Sequence, residues 1–175
     1  MSAAVTEFTD EITGPFRKLG KWGKTVVPHD GWRCIRIVDH GKQNHTCDMC
    51  EAREVRYVHW MEHDDFTGVL KVGCECAGRL ERNPDAAEER ERVMRNRAAR
   101  RAKWPARKWR VSRKGNPYLR RAGYCFTVWP KGAGWSFAVS CEDEAPHYAD
   151  ATFTTCDQAK LAAFDLIWPA VSHGM

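Results

Sequence analysis

The chain has 175 residues, of which 43% are hydrophobic and 29% charged, with eight cysteines, eight tryptophans and a net charge of +5. This is ordinary for a soluble globular protein of one domain or two small ones, and no internal repeat or low-complexity tract interrupts it. No window approaches about 18 consecutive apolar residues, and the opening MSAAVTEFTDEITGPF lacks the basic and apolar regions of a secretory signal, so the expected location is the cytoplasm.

Residues 1–30 read as irregular, with turns around the glycines of GPFRKLGKWGK. GWRCIRIVDHG (31–41) alternates like a strand, and VRYVHWME (55–62) and GVLKVG (68–73) flank the turn-like HDDFT, which predicts a hairpin. Residues 85–104 predict a helix, started by Pro84 and Asp85 and ended by Pro105, with i,i+4 pairs Glu88–Arg92 and Glu91–Arg95. Its thin apolar stripe is Ala87, Met94, Ala98 and Ala102, with Val93 beside it. RKWRVSR, YCFTVWP and GWSFAVSC then alternate with period two, separated by KGNPY and KGAG, and a last strand is placed in HYADATF. TTCDQAKLAAFDLIW supplies a capping box, Thr155 with Gln158, and an apolar face of Ala159, Ala163, Leu166 and Ile167. The expected fold is α+β, in three parts. These are a zinc-bound β-hairpin module (1–83), an Arg-rich connecting helix (84–105), and an antiparallel sheet of three or four strands packed by a helix (106–175).

In a cytosolic chain, cysteines serve as thiols or metal ligands more often than as disulfides. Cys47 and Cys50 form CDMC after the first strand, and Cys74 and Cys76 form CEC between the hairpin and the following helix. Four thiolates satisfy tetrahedral Zn²⁺ with no open position, as a structural site requires. Over roughly residues 34–83 the order of knuckle, hairpin, second ligand pair and helix resembles the treble-clef class of zinc fingers. That resemblance implies one structural Zn²⁺ on Cys47, Cys50, Cys74 and Cys76. The second pair departs from the class in being C-x-C rather than C-x-x-C. The longer layout CDMCEAREVRYVH…LKVGCECAGRLE also looks like a widespread set of uncharacterised bacterial proteins, which implies a bacterial or phage origin and brings no activity.

Other motifs have plainer readings. HWMEH matches the H-x-x-E-H of inverted zinc peptidases, but that chemistry needs a helix, and here His59, Met61 and His63 would share one face of a strand while Glu62 points away. His59 is placed near the zinc site and His63 in the turn. His45 could replace a thiolate, although four cysteines suffice. Cys34 reads as a buried structural thiol, and Cys125 and Cys141 as strand cysteines. Cys156 sits in the first turn of the last helix, where amide groups lower a thiol's pKa but Asp157 opposes them. EDE (142–144) with His147 reads as a solvated acidic turn. No phosphate loop or catalytic triad is present, and the expectation is a protein without enzymatic activity.

The strongest functional signal is charge segregation. Between Arg92 and Arg121 there are thirteen Arg or Lys and no Asp or Glu, leaving the rest of the chain with 15 basic and 23 acidic residues. Such asymmetry implies a polyanionic partner. Phosphate binding is expected from Arg95, Arg97, Arg100, Arg101, Lys103, Arg107, Lys108, Arg110, Arg113 and Lys114, with Trp104 stacking on bases and Trp109 at least partly in the core. The helix–strands–helix order of 85–168 resembles the double-stranded RNA-binding domain, and QAKLAAFDLIW is similar to its final helix. That family's lysine cluster is reduced to Lys160, however, so RNA specificity does not carry over. Three strands and a helix also look like the small DNA-binding modules at integrase N-termini. The expected role is DNA or RNA binding. The competing readings are a protein-interaction adaptor or regulator of a bacterial or phage complex that docks an acidic partner, and a metal-dependent nuclease with an open site near His59 and His63.

Overall fold

The structure, a computed structural model, describes residues 20–142 and 144–173. The leader reading of the first sixteen residues, the turns expected before Gly20 and the Asp143 position of the acidic turn lie outside the described residues. The fold is mixed α+β, built from helices and antiparallel strand pairs. It divides into two compact units, one running to Glu88 and the other spanning Glu89–His173.

In the N-terminal unit, β1 (Arg33–Asp39), β2 (His45–Thr46), β3 (Glu54–Val55), β4 (Tyr57–His63) and β5 (Phe66–Val72) precede α1 (Cys74–Leu80) and the start of α2 (Pro84–Ala102). The expected hairpin is β4–β5, and β4 also pairs with β1. Side chains directly opposite one another in a ladder share a face. Ile37, His59 and Val72 form one such row and are buried, together with Met61, Leu70, Leu80 and Met49. On the other face the row is Arg36, Trp60 and Lys71, in which the indole lies 3.4 Å from the Arg36 guanidinium and 4.6 Å from the Lys71 ammonium. Both contacts are cation–π attractions. α1 is short, and its Gly78 has no room for a side chain, because a Cβ there would lie 2.8 Å from the Pro84 backbone. That close approach fixes where α2 begins.

In the C-terminal unit, β6 (Arg110–Val111), β7 (Pro117–Arg121), β8 (Tyr124–Lys131), β9 (Gly134–Ser140) and β10 (His147–Tyr148) form a five-stranded sheet in the order β10-β9-β8-β7-β6. Strand β7 is an addition to the expected set, while the strand expected in RKWRVSR shrinks to two residues. The β7–β8 turn uses Ala122 and Gly123, both at positive φ (52° and 81°), the backbone of a type I′ hairpin. α3 (Cys156–Ile167) starts with the expected capping box and packs on β8 and β9. Phe126, Val128, Phe137, Val139, Ala159, Ala163 and Phe164 make the core. Phe164 takes the place expected for Leu166, which is 39% exposed. On α2, Glu91–Arg95 forms as expected at 3.0 Å, but Arg92 pairs with Glu89 rather than Glu88. Val93 is exposed, whereas Ala87 and Met94 are buried.

Candidate functional site

Residues 47–50 form a turn between β2 and β3, held from several sides. Asp48 exchanges backbone hydrogen bonds with β5, donating to Lys71 O and accepting from Lys71 N at its carboxylate. The 3₁₀ turn Gly20–Gly23 covers the knuckle, with Lys21 N donating to Met49 O at 2.8 Å. Gly20 sits at φ +62°, and a Cβ there would lie 2.6 Å from Met49 O, so only glycine allows this approach. Lys21 pairs with Glu51 at 3.1 Å and holds its carboxyl below the usual range.

The sulfurs of Cys47, Cys50 and Cys76 lie within 4.8 Å of one another, and all three residues are buried. Tetrahedral Zn–S bonds of about 2.3 Å place sulfurs about 3.8 Å apart, so this cluster is of the right size for a metal ion. Its electrostatics agree. The Cys47 thiol is pushed down to about 5, first by the Cys76 thiol and then, against the cost of burial, by backbone N–H groups of Cys50, Gly73 and Met49. Gly73 N donates to its sulfur at 3.5 Å. Cys76 is pushed up, by the Cys47 sulfur and by burial. Trp22 Nε1 is buried without a hydrogen bond to nitrogen or oxygen, and its N–H favours the Cys76 thiolate.

Cys74 is outside the three-sulfur group. It opens α1 and is half-buried against the same core. Residues two apart on a helix point about 200° away from each other, which is why the C-x-C spacing does not bring both sulfurs to one point while α1 is intact. His45 and His59 are outside the group as well. His45 Nε2 lies 3.4 Å from Lys71 O, and buried His59 has Nε2 3.3 Å from Ala87 O. His59 and Met61 are buried on β4, a strand rather than the helix that the peptidase motif needs, and His63, at the end of that strand, packs against Trp32 in a tilted contact. Burial, helped by Asp157 and opposed by Lys160, pushes the Cys156 thiol up, away from the ionised form a nucleophile needs.

The basic residues separate into two groups. Arg97 is only 5% exposed. It reaches Asp165 and donates to Trp168 O, while Arg101 makes a forked contact with the same carboxylate at 2.8 Å. Arg95 is paired with Glu91, and half-buried Arg107 lies over the Trp104 ring. Trp104 is 2% exposed and packs edge-on against Phe126, Phe164 and Trp168, so it is a core residue and not a base-stacking one. Trp109 packs partly against that core, as expected. Eight exposed cations remain without an ion pair among the described residues: Arg100, Lys103, Lys108, Arg110, Arg113, Lys114, Arg120 and Arg121. The last two, at the end of β7, belong to the basic run but not to the residues expected to hold phosphate.

Among the described residues, no helix is long and apolar enough to cross a membrane. Comparison of the chain with protein-family models, curated proteins and solved structures finds no match.

Proposed function

We propose that this chain is a zinc-stabilised nucleic-acid-binding protein without enzymatic activity. The observation that carries this reading is the set of eight exposed cations from Arg100 to Arg121 that make no ion pair among the described residues, in a segment free of acidic residues. Ion pairing and burial account for Arg92, Arg95, Arg97, Arg101 and Arg107, and these eight are what is left to meet a polyanion. Phosphates satisfy them and release counterions on binding.

The metal is structural Zn²⁺, held by Cys47, Cys50 and Cys76 with Cys74 as fourth ligand once the first turn of α1 adjusts. The buried sulfur cluster, the N–H groups aimed at Cys47 and the Trp22 indole support a closed thiolate site. The succession of turn, hairpin and helix is similar to that of a treble clef and supports this reading. Zinc supplies no chemistry there beyond tying the knuckle to α1.

The test is a titration with labelled DNA and RNA at two salt concentrations. Wild-type protein binds, and its affinity falls steeply with salt. Changing Lys103, Lys108, Arg113 and Lys114 together to Ala lowers the slope of log K against log salt by up to about 3 for a single strand. Absence of binding at low salt refutes the reading and leaves the cations as a docking surface for an acidic protein.

A further inference from the structure

Register in the five-stranded sheet is continuous, and it sorts the C-terminal strands into two faces. Leu119, Phe126, Val128, Phe137 and Val139 belong to the face packed beneath α3. The opposite face carries the row Arg110, Tyr118, Thr127, Ala138 and Tyr148, one residue from each strand. Arg120 (opposite Cys125) and Trp129 (opposite Ser136) flank this row on the same face. Tyr148 is 61% exposed, Arg110 and Arg120 are exposed, and Tyr118 and Trp129 are half-buried. Trp129 and Tyr148 meet edge to face at 6.3 Å.

Large rings therefore stand on a floor of small side chains, Thr127 and Ala138. With strands about 4.8 Å apart, Tyr118 and Tyr148 are about 14 Å from each other across the sheet. No Asp or Glu occurs anywhere from Arg92 to Cys141, so all of β6, β7, β8 and β9 is free of negative charge. A second copy of the chain would set like charges against each other on this face. A polyanion with flat, stackable groups complements it in both charge and shape.

We infer that this face binds single-stranded nucleic acid, with bases stacked on Tyr118, Trp129 and Tyr148 and phosphates held by Arg110 and Arg120. The inference rests on the nucleic-acid reading above and names its surface and strand form. A duplex keeps its base faces inside its own stack, so the rings discriminate in favour of the single strand.

The experiment uses the full chain with a short labelled oligo-dT, an oligo-U and a duplex, at low salt. Trp129→Ala and Tyr148→Ala each weaken single-strand binding about 5- to 150-fold, the range for loss of one stacked base, and leave the salt slope unchanged. Trp129→Phe and Tyr148→Phe keep most of the affinity, because the stacking plane is retained. Three results overturn the assignment: Ala variants that bind like wild type, Phe variants that fail as badly as Ala, or a duplex that loses as much as the single strand. If wild-type protein binds none of the three probes, the nucleic-acid reading itself fails. If the Ala variants bind normally while the Lys103/Lys108/Arg113/Lys114 variant does not, only the sheet face is wrong.

Discussion

Asp165 shows what the charge pattern alone conceals. Its carboxylate is shared by Arg97 and Arg101, and Arg97 is nearly removed from water. Asp165→Ala leaves Arg97 buried without its counter-charge, so it should cost about 3–5 kcal/mol in urea unfolding. Arg100→Ala, at an exposed position, should change stability by no more than about 0.5 kcal/mol. Equal costs for the two would contradict the assignment of Arg97 to the fold. Helical spacing placed Arg97 and Arg101 on one face correctly. It carried no information that the face meets a carboxylate some sixty residues later in the chain, nor that Trp104 fills the core beside it. Local pattern fixes direction on a helix, whereas the identity of the neighbour is a long-range fact.

The elements were legible where hydrophobic period and end signals agreed. The β4–β5 hairpin, α2 and the capped α3 fall where alternation, Pro84 and the Thr155–Gln158 box put them. Strand β7 was hidden because its turn, Ala122–Gly123, lacks the Asn or Asp that usually precedes Gly in a type I′ hairpin, and because PYLRR follows a stronger turn signal. The cysteine cluster was legible from spacing for Cys47 and Cys50, and less so for the C-x-C pair, whose geometry depends on where α1 begins. Since the cluster joins the knuckle to α1, the proposed zinc should stabilise the N-terminal unit, so chelation should lower that unit's melting temperature, and Cys47→Ser should do the same. Thiol ligands must be deprotonated to hold a metal ion, so metal affinity should weaken as pH falls, with protons released on loading. Elemental analysis beside a thermal melt in chelator checks this. A chain purified without zinc and indifferent to chelator would contradict it.

At the scale of the whole molecule, a chain with a net charge of +5 contains a basic segment and a remainder that is net acidic. Folding narrows the basic segment to fewer cations, because the carboxylates of Glu89, Glu91 and Asp165 neutralise arginines on α2 while Lys103, Lys108, Arg110, Arg113, Lys114, Arg120 and Arg121 are left to solvent. Of these, Arg110 and Arg120 stand on the aromatic sheet face. An acidic protein surface would satisfy the charges, whereas in the proposed reading a nucleic acid also stacks its bases on the rings. The most direct measurement is competition: a labelled single strand bound by the full chain, displaced either by unlabelled strand or by polyglutamate at equal charge concentration. The account predicts displacement by the strand and little by polyglutamate. Equal displacement by both would show that charge alone is recognised and would contradict it.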